Sequence, residues 1–144
     1  MDAGEVFDKW LEGTIHRETQ VCADGVHLTV DEISRIHTRG RLDFGGGELK
    51  DAATHPIELS EHMPGERYAW WRLNEGDYLV RFNERIKEGA PPMLLVSSER
   101  LLRCGCRLGS TIVGEGDVCS VLSVPEAGIH IKENARIAVL RALS

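Results

Sequence analysis

Short runs of alternating apolar and polar residues, each closed by turn formers, make up most of the chain. Val26-His27-Leu28-Thr29-Val30 puts Leu28 and Val30 on one side and His27 and Thr29 on the other, the pattern of a half-buried strand. Arg67 to Leu73 alternates again, Tyr68 and Trp70 against Ala69, Trp71 and Leu73. Asn74-Glu75-Gly76-Asp77 is then a turn, and Tyr78 to Phe82 is expected to pair back as the next strand. Met93 to Val96 is an uncharged run of strand length, stopped on its near side by Pro91-Pro92. Thr111 to Val113 and Val118 to Val124 flank Gly114-Glu115-Gly116-Asp117, which reads as a tight turn. Pro125 to Gly128 is another turn, Ile129 to Lys132 a short strand, and Ala135 to Leu143 a last alternating segment.

Helical spacing occurs at residues 3 to 12, where Val6 and Trp10, with Phe7 and Leu11 beside them, share a face and Gly13 is the expected stop. Asp31 to Ile36 is expected as a helical turn. Residues 37 to 66, with Gly45-Gly46-Gly47 and two prolines, are expected as a hairpin tip and an irregular connection. Many short strands with turns between them predict an all-β sandwich or barrel.

Composition narrows the classes. The chain has 144 residues, 42% hydrophobic and 28% charged, with no low-complexity tract, which predicts one domain over 1–144 around a single core. No uncharged stretch approaches the ~18 residues of a membrane span. The opening Met1-Asp2-Ala3-Gly4-Glu5 lacks the basic-then-apolar pattern of a secretory signal, so the expected compartment is the cytoplasm. A net charge of -6 disfavours nucleic acid as a partner, while a local arginine cluster can still hold one phosphorylated small molecule. Of the four cysteines, Cys104 and Cys106 would share a face if they lie on a strand. Their one-residue spacer, with no second pair, disfavours structural zinc there, and reduced, mostly buried thiols are expected.

The candidate chemistry follows the Met93 run. Ser97 and Ser98, then Arg100, Arg103 and Arg107 around Gly105, combine hydroxyls with guanidinium forks suited to oxyanions. The plain alternative is a solvated polar loop. Three further features share the chain with them: Gly25-Val26-His27-Leu28, Gly114-Glu115-Gly116 and Asn134-Ala135-Arg136-Ile137-Ala138. In this order and spacing the set, with Leu73 to Val80 between, resembles the dUTPase and dCTP deaminase superfamily, in particular its archaeal dUTPase-like members, over about residues 18 to 143.

The resemblance implies a distorted jelly-roll with a short N-terminal helix, assembled as a homotrimer whose sites lie between subunits. It also implies hydrolysis of dUTP to dUMP and pyrophosphate, with Mg²⁺ on the triphosphate and a carboxylate taking the proton of the attacking water. On this mapping Ser97, Ser98, Arg100, Arg103 and Gly105 would bind substrate phosphates. His27 stands where the family has aspartate, so it is either part of the site or a strand histidine with a hydrogen-bond partner. Aligned on Leu101 to Gly105, the phosphate element places Ser98, Glu99 and Arg100 at its Arg-Ser-Ser positions; alternatively Ser97-Ser98 is the hydroxyl pair with two residues inserted. The family's aspartate base is replaced by an uncharged residue and its aromatic ring is missing. Glu115 and Asp117 are the candidate displaced carboxylates, and equally turn residues. Val118 to Leu122 lacks the deaminase glutamate, so deamination is not expected. Arg136 is read as structural, and the sequence stops at Ser144, short of the Gly-rich, Phe-bearing tail of many family members. Three readings stay open: a dUTPase-like diphosphatase of intact or altered activity, a non-catalytic trimer binding a nucleotide or another anion, and an unrelated β-sandwich module.

Overall fold

The computed structural model describes residues 1–60 and 65–143; the irregular connection expected through residues 61–64 lies outside them. In chain order the elements begin with a helix α1 (Ala3–Glu5) that widens into a π-helical turn (Val6–Trp10), β1 (Leu11–Glu12), α2 (Arg17–Gln20), β2 (Val21–Cys22) and β3 (Gly25–Thr38). They continue with β4 (Ala53–Pro56), β5 (Trp70–Leu73), β6 (Gly76–Ile86), β7 (Met93–Ser97) and α3 (Glu99–Arg103). The chain closes with β8 (Arg107–Leu108), β9 (Thr111–Val113), β10 (Gly116–Val124), β11 (Ile129–Lys132) and β12 (Arg136–Ala142). Among the described residues these form one curled antiparallel sheet in the order β8-β10-β6-β3-β12-β7-β9, and a separate pair β11-β5. The architecture is an all-β, distorted jelly-roll with a short N-terminal helix, as the resemblance implies. No helix among the described residues is long and apolar enough to cross a membrane.

β3 joins the two halves of this sheet. Its first part pairs with β12 (Val26 to Leu140, Leu28 to Ala138), and its second with β6 (Ile33 to Val80, Arg35 to Tyr78). Between Val30, opposite Phe82, and Ile33, opposite Val80, β3 spends one more residue than its partner. Such a bulge bends a strand and moves its inward phase by one. Accordingly Val26, Leu28 and Val30 are buried before it and Ile33 after it. The expected helical turn at Asp31 to Ile36 is therefore wrong: the broken alternation that suggested it marks a bulge in a 14-residue strand.

β6 carries an unbroken alternation in which Tyr78, Val80, Phe82, Glu84 and Ile86 all face the core. Glu84 is fully buried at the bend. Its Oε1 accepts the Thr29 backbone N–H at 2.8 Å, and its Oε2 accepts the Thr29 hydroxyl at 2.6 Å and Gln20 Nε2–H at 2.9 Å. Gln20 also donates to the His27 carbonyl at 2.8 Å, while its own oxygen accepts the Ile15 and His16 N–H groups. One carboxylate thus fastens α2 and its approach loop to the bend of β3. Burial pushes the Glu84 carboxyl pKa up, against the lowering effect of the Thr29 and Gln20 hydrogen bonds.

Several strand partners differ from expectation. β5 pairs with β11 instead of folding back on β6, because both edges of β6 are occupied by β3 and β10. β9 pairs with β7 and β10 with β6 and β8, so Gly114 to Asp117 crosses between neighbourhoods of the sheet and closes no hairpin. At the N-terminus the helix ends at Trp10, and Leu11 enters the core as a strand residue opposite Ile86. Cys104 and Cys106 are not on a strand; Cys104 caps α3 and is exposed, whereas Cys106 is buried. Cys119 is also exposed and Cys22 half-buried, so among four free thiols one is fully buried, contrary to the expectation of mostly buried ones.

Replacing Glu84 with alanine leaves the Thr29 N–H without a partner and opens a void, which predicts a loss of about 2–4 kcal/mol in urea unfolding. The raised folded-state pKa also has a pH signature. Its stabilising contribution is complete below the unfolded pKa and is lost as pH rises through the higher folded value. The stability of the wild type relative to Glu84→Gln is accordingly expected to fall as unfolding is repeated from about pH 4 towards pH 7.

Candidate functional site

The segment after β7 is built mainly by backbone requirements. Ser98 is fully buried and caps α3, its Oγ accepting the Leu101 N–H at 3.1 Å. The Ser97 hydroxyl accepts the Leu108 N–H at 2.8 Å and donates to the Leu108 carbonyl at 3.0 Å, tying β7 to β8. At the other end of α3, Gly105 takes φ +79. The Gly105 N–H reaches the Leu102 carbonyl at 3.0 Å and the Cys106 N–H the Leu101 carbonyl at 3.3 Å, the paired bonds that close a helix on a left-handed glycine. Both hydroxyls and the glycine therefore have local structural duties. Arg100 and Arg103 do not share them: both are exposed and, with Cys104, line a cavity of about 310 Å³. Arg100 also borders a cavity of about 460 Å³ shared with Arg136 and Trp70. Arg136 donates to the Thr19 carbonyl at 3.0 Å, joining β12 to α2 in keeping with the structural part read for it.

The carboxylate candidates lie elsewhere. Glu115 accepts the Gly89 N–H at 3.0 Å, and Asp117 is ion-paired with Arg85, whose Nε is 3.6 Å from Glu12. Val113, at the end of β9, stands opposite Met93. Four residue steps of β7 separate Met93 from Ser97, roughly 13 Å at about 3.3 Å per residue. Within one chain the fold thus holds Glu115 and Asp117 at the opposite end of β7 from Arg100 and Arg103.

His27 sits in a third place, level with Val139 of β12, which in turn stands opposite Val96 of β7. Its side chain is 11% exposed, and its Nε2 is 2.9 Å from Asp24 Oδ1. Its Nδ1 is buried and has no hydrogen-bond partner. Burial pushes the Asp24 carboxyl up, but the His27 hydrogen bond and charge, together with Arg141, outweigh it and leave the pKa below the usual carboxylate range. Gly25, at φ +138, is required where it is: a Cβ there would stand 2.7 Å from the Leu140 carbonyl oxygen and 2.7 Å from a Val139 methyl. Glu84, which no motif singled out, was marked by its place in the alternation of β6.

No family model matches the chain. Curated proteins do. It is 33% identical over 139 residues to a Methanosarcina mazei protein named "Probable deoxyuridine 5'-triphosphate nucleotidohydrolase", covering 90% of this chain and 75% of that one. Proteins of the same name from Methanosarcina acetivorans (31% identity, 90% and 75% covered) and Archaeoglobus fulgidus (25%, 85% and 71%) are also similar. The chain belongs to the dUTPase-like family.

The cap geometry makes a direct prediction. Ser98→Ala removes the acceptor for the Leu101 N–H and is expected to lower stability by about 1 kcal/mol, read from the urea midpoint.

Proposed function

We propose that the chain is a dUTPase-like nucleotide diphosphatase that converts dUTP and water into dUMP and pyrophosphate, working in the cytoplasm as a homotrimer. The observation that carries this is the similarity to dUTPase-named relatives over 90% of the chain, joined to the exposed pair Arg100 and Arg103 following β7. In this reading the two guanidinium groups bind and neutralise the triphosphate. A water oxygen forms the new bond to the α-phosphorus, the bond from that phosphorus to the bridging oxygen breaks, and pyrophosphate leaves. Glu115, whose second carboxylate oxygen has no partner among the described residues, takes the proton of the water. Its separation from the arginines within one chain supports a site in which a neighbouring copy supplies the carboxylate.

Magnesium is the metal that the resemblance implies. At position 27 this chain offers an imidazole flanked by a thiol and one carboxylate, which does not fit a hydrated Mg²⁺ seeking hard oxygen ligands. No step is therefore assigned to a protein-held Mg²⁺, and phosphate charge falls to the arginines. A second reading, a trimer that binds a nucleotide or another anion without turnover, is favoured by one set of facts: the Ser97 and Ser98 hydroxyls are committed to backbone partners and Asp117 to Arg85.

Pyrophosphate release from a panel of deoxynucleoside triphosphates, with and without Mg²⁺, separates the two. The enzyme reading expects turnover of dUTP that drops by about 10²-fold or more in Glu115→Gln and is weakened in Arg100→Ala and Arg103→Ala. Measurable nucleotide binding with no turnover of any substrate would establish the second reading.

A further inference from the structure

The hairpin that opens β3 gathers three metal-ligating side chains of different chemistry. Cys22 stands opposite Gly25 across the two-residue turn Ala23-Asp24. Because His27 is two residues beyond Gly25, strand periodicity puts it on the face shared by Cys22 and Gly25, away from the core-facing Val26 and Leu28. Asp24, at the turn, reaches back to the imidazole at 2.9 Å. One donor atom from each of Cys22, Asp24 and His27 lies within 4.8 Å of the others.

We propose that Cys22, Asp24 and His27 form a binding site for one zinc ion, with the fourth coordination position left to water. The geometry points to a ligand here. The nearly buried imidazole turns Nε2 to Asp24 Oδ1 at 2.9 Å. A zinc ion bound at Nε2 takes the place of that hydrogen bond, with Asp24 turning from acceptor to ligand. The donor set is also selective: thiolate, imidazole and carboxylate together suit zinc, whereas magnesium and calcium take oxygen ligands. A tetrahedral ion 2.0–2.3 Å from each donor needs donor pairs roughly 3.3–3.8 Å apart, so closing the cluster requires movements of at most about 1.5 Å, within reach of side-chain rotation.

The surroundings allow entry and hold the frame. Asp24 is exposed and Cys22 half-buried, and Cys22 borders a cavity of about 580 Å³. The Cys22 thiol donates to the Thr19 carbonyl at 3.4 Å, a weak bond that metal ligation would replace. Arg141 Nε donates to the Asp24 backbone carbonyl at 2.6 Å, anchoring the turn without occupying the carboxylate. Behind the strand, Gln20 grips the His27 carbonyl, so the histidine backbone is fixed from the Glu84 side.

The test is metal binding by the full chain in the absence of nucleotide, which separates it from any question of hydrolysis. Equilibrium dialysis with Zn²⁺ is expected to give one ion per chain. Co²⁺ is expected to give the thiolate-to-metal charge-transfer band and the intense visible bands of a four-coordinate ion. Cys22→Ser should abolish the charge-transfer band, and His27→Gln should weaken binding by more than about tenfold. Cys104→Ser, a control for the other exposed thiols, should leave both unchanged, and circular dichroism checks that each variant is folded. Absence of stoichiometric binding in the wild type, or binding that survives in both Cys22→Ser and His27→Gln, overturns the proposal.

Discussion

The carboxylate of Glu84 against Thr29 is the contact on which the rest of the structure depends. A strand that serves two parts of a sheet has to bend, and the bulge that bends it interrupts the ladder beside it. Here the bulge follows Val30, and the N–H just before it, on Thr29, goes to a side-chain oxygen. An unpaired buried donor at that point would cost about as much as a lost core hydrogen bond. The same carboxylate takes the Thr29 hydroxyl and the Gln20 amide, so the bend, α2 and the loop before it are set together. Asn83, next to Glu84, extends the connection by donating to Thr29 Oγ1 at 3.0 Å and to Asn134 Oδ1 at 2.8 Å, which reaches the start of β12.

That arrangement explains where the functional side chains stand. His27 lies two residues before Thr29 and inherits its position from the clamped strand. α3 hangs from the end of β7, the neighbour of β12, and leaves Arg100 and Arg103 exposed, while its ends use Ser98 and Gly105 and the Ser97 hydroxyl ties β7 to β8. The segment Gly114 to Asp117 is anchored at the far end of β7 by Gly89 and Arg85. Three chemically distinct places result: two exposed guanidinium groups, an acidic crossing, and a sulfur, nitrogen and oxygen cluster at the first hairpin.

Much of the fold was legible because alternation is a local signal. The strands at Val26, Met93, Ile129 and Arg136 stand where periodicity puts them, and Val6 and Leu11 are buried as expected. What failed required knowledge of partners. Nothing within Asn74 to Asp77 reveals that both edges of β6 are already taken, and a bulge at Asp31 looks locally like the end of a strand. The site was legible in its residue types and less so in their duties. Ser98 caps a helix and Gly105 ends it, duties that hydrogen-bond geometry reveals and that their letters, shared with a phosphate cradle, do not announce. Glu84 was written plainly as an acid at an inward position of a regular strand, a signal that motif matching passes over because it belongs to no motif.

Native-state hydrogen exchange at the Thr29 amide tests the central claim most directly. If Glu84 holds the bend, that amide is protected to nearly the same extent as those of core strand residues such as Val80, because releasing it requires breaking the clamp. Exchange of Thr29 at the rate of exposed loop amides, with Val80 still protected, would contradict the account.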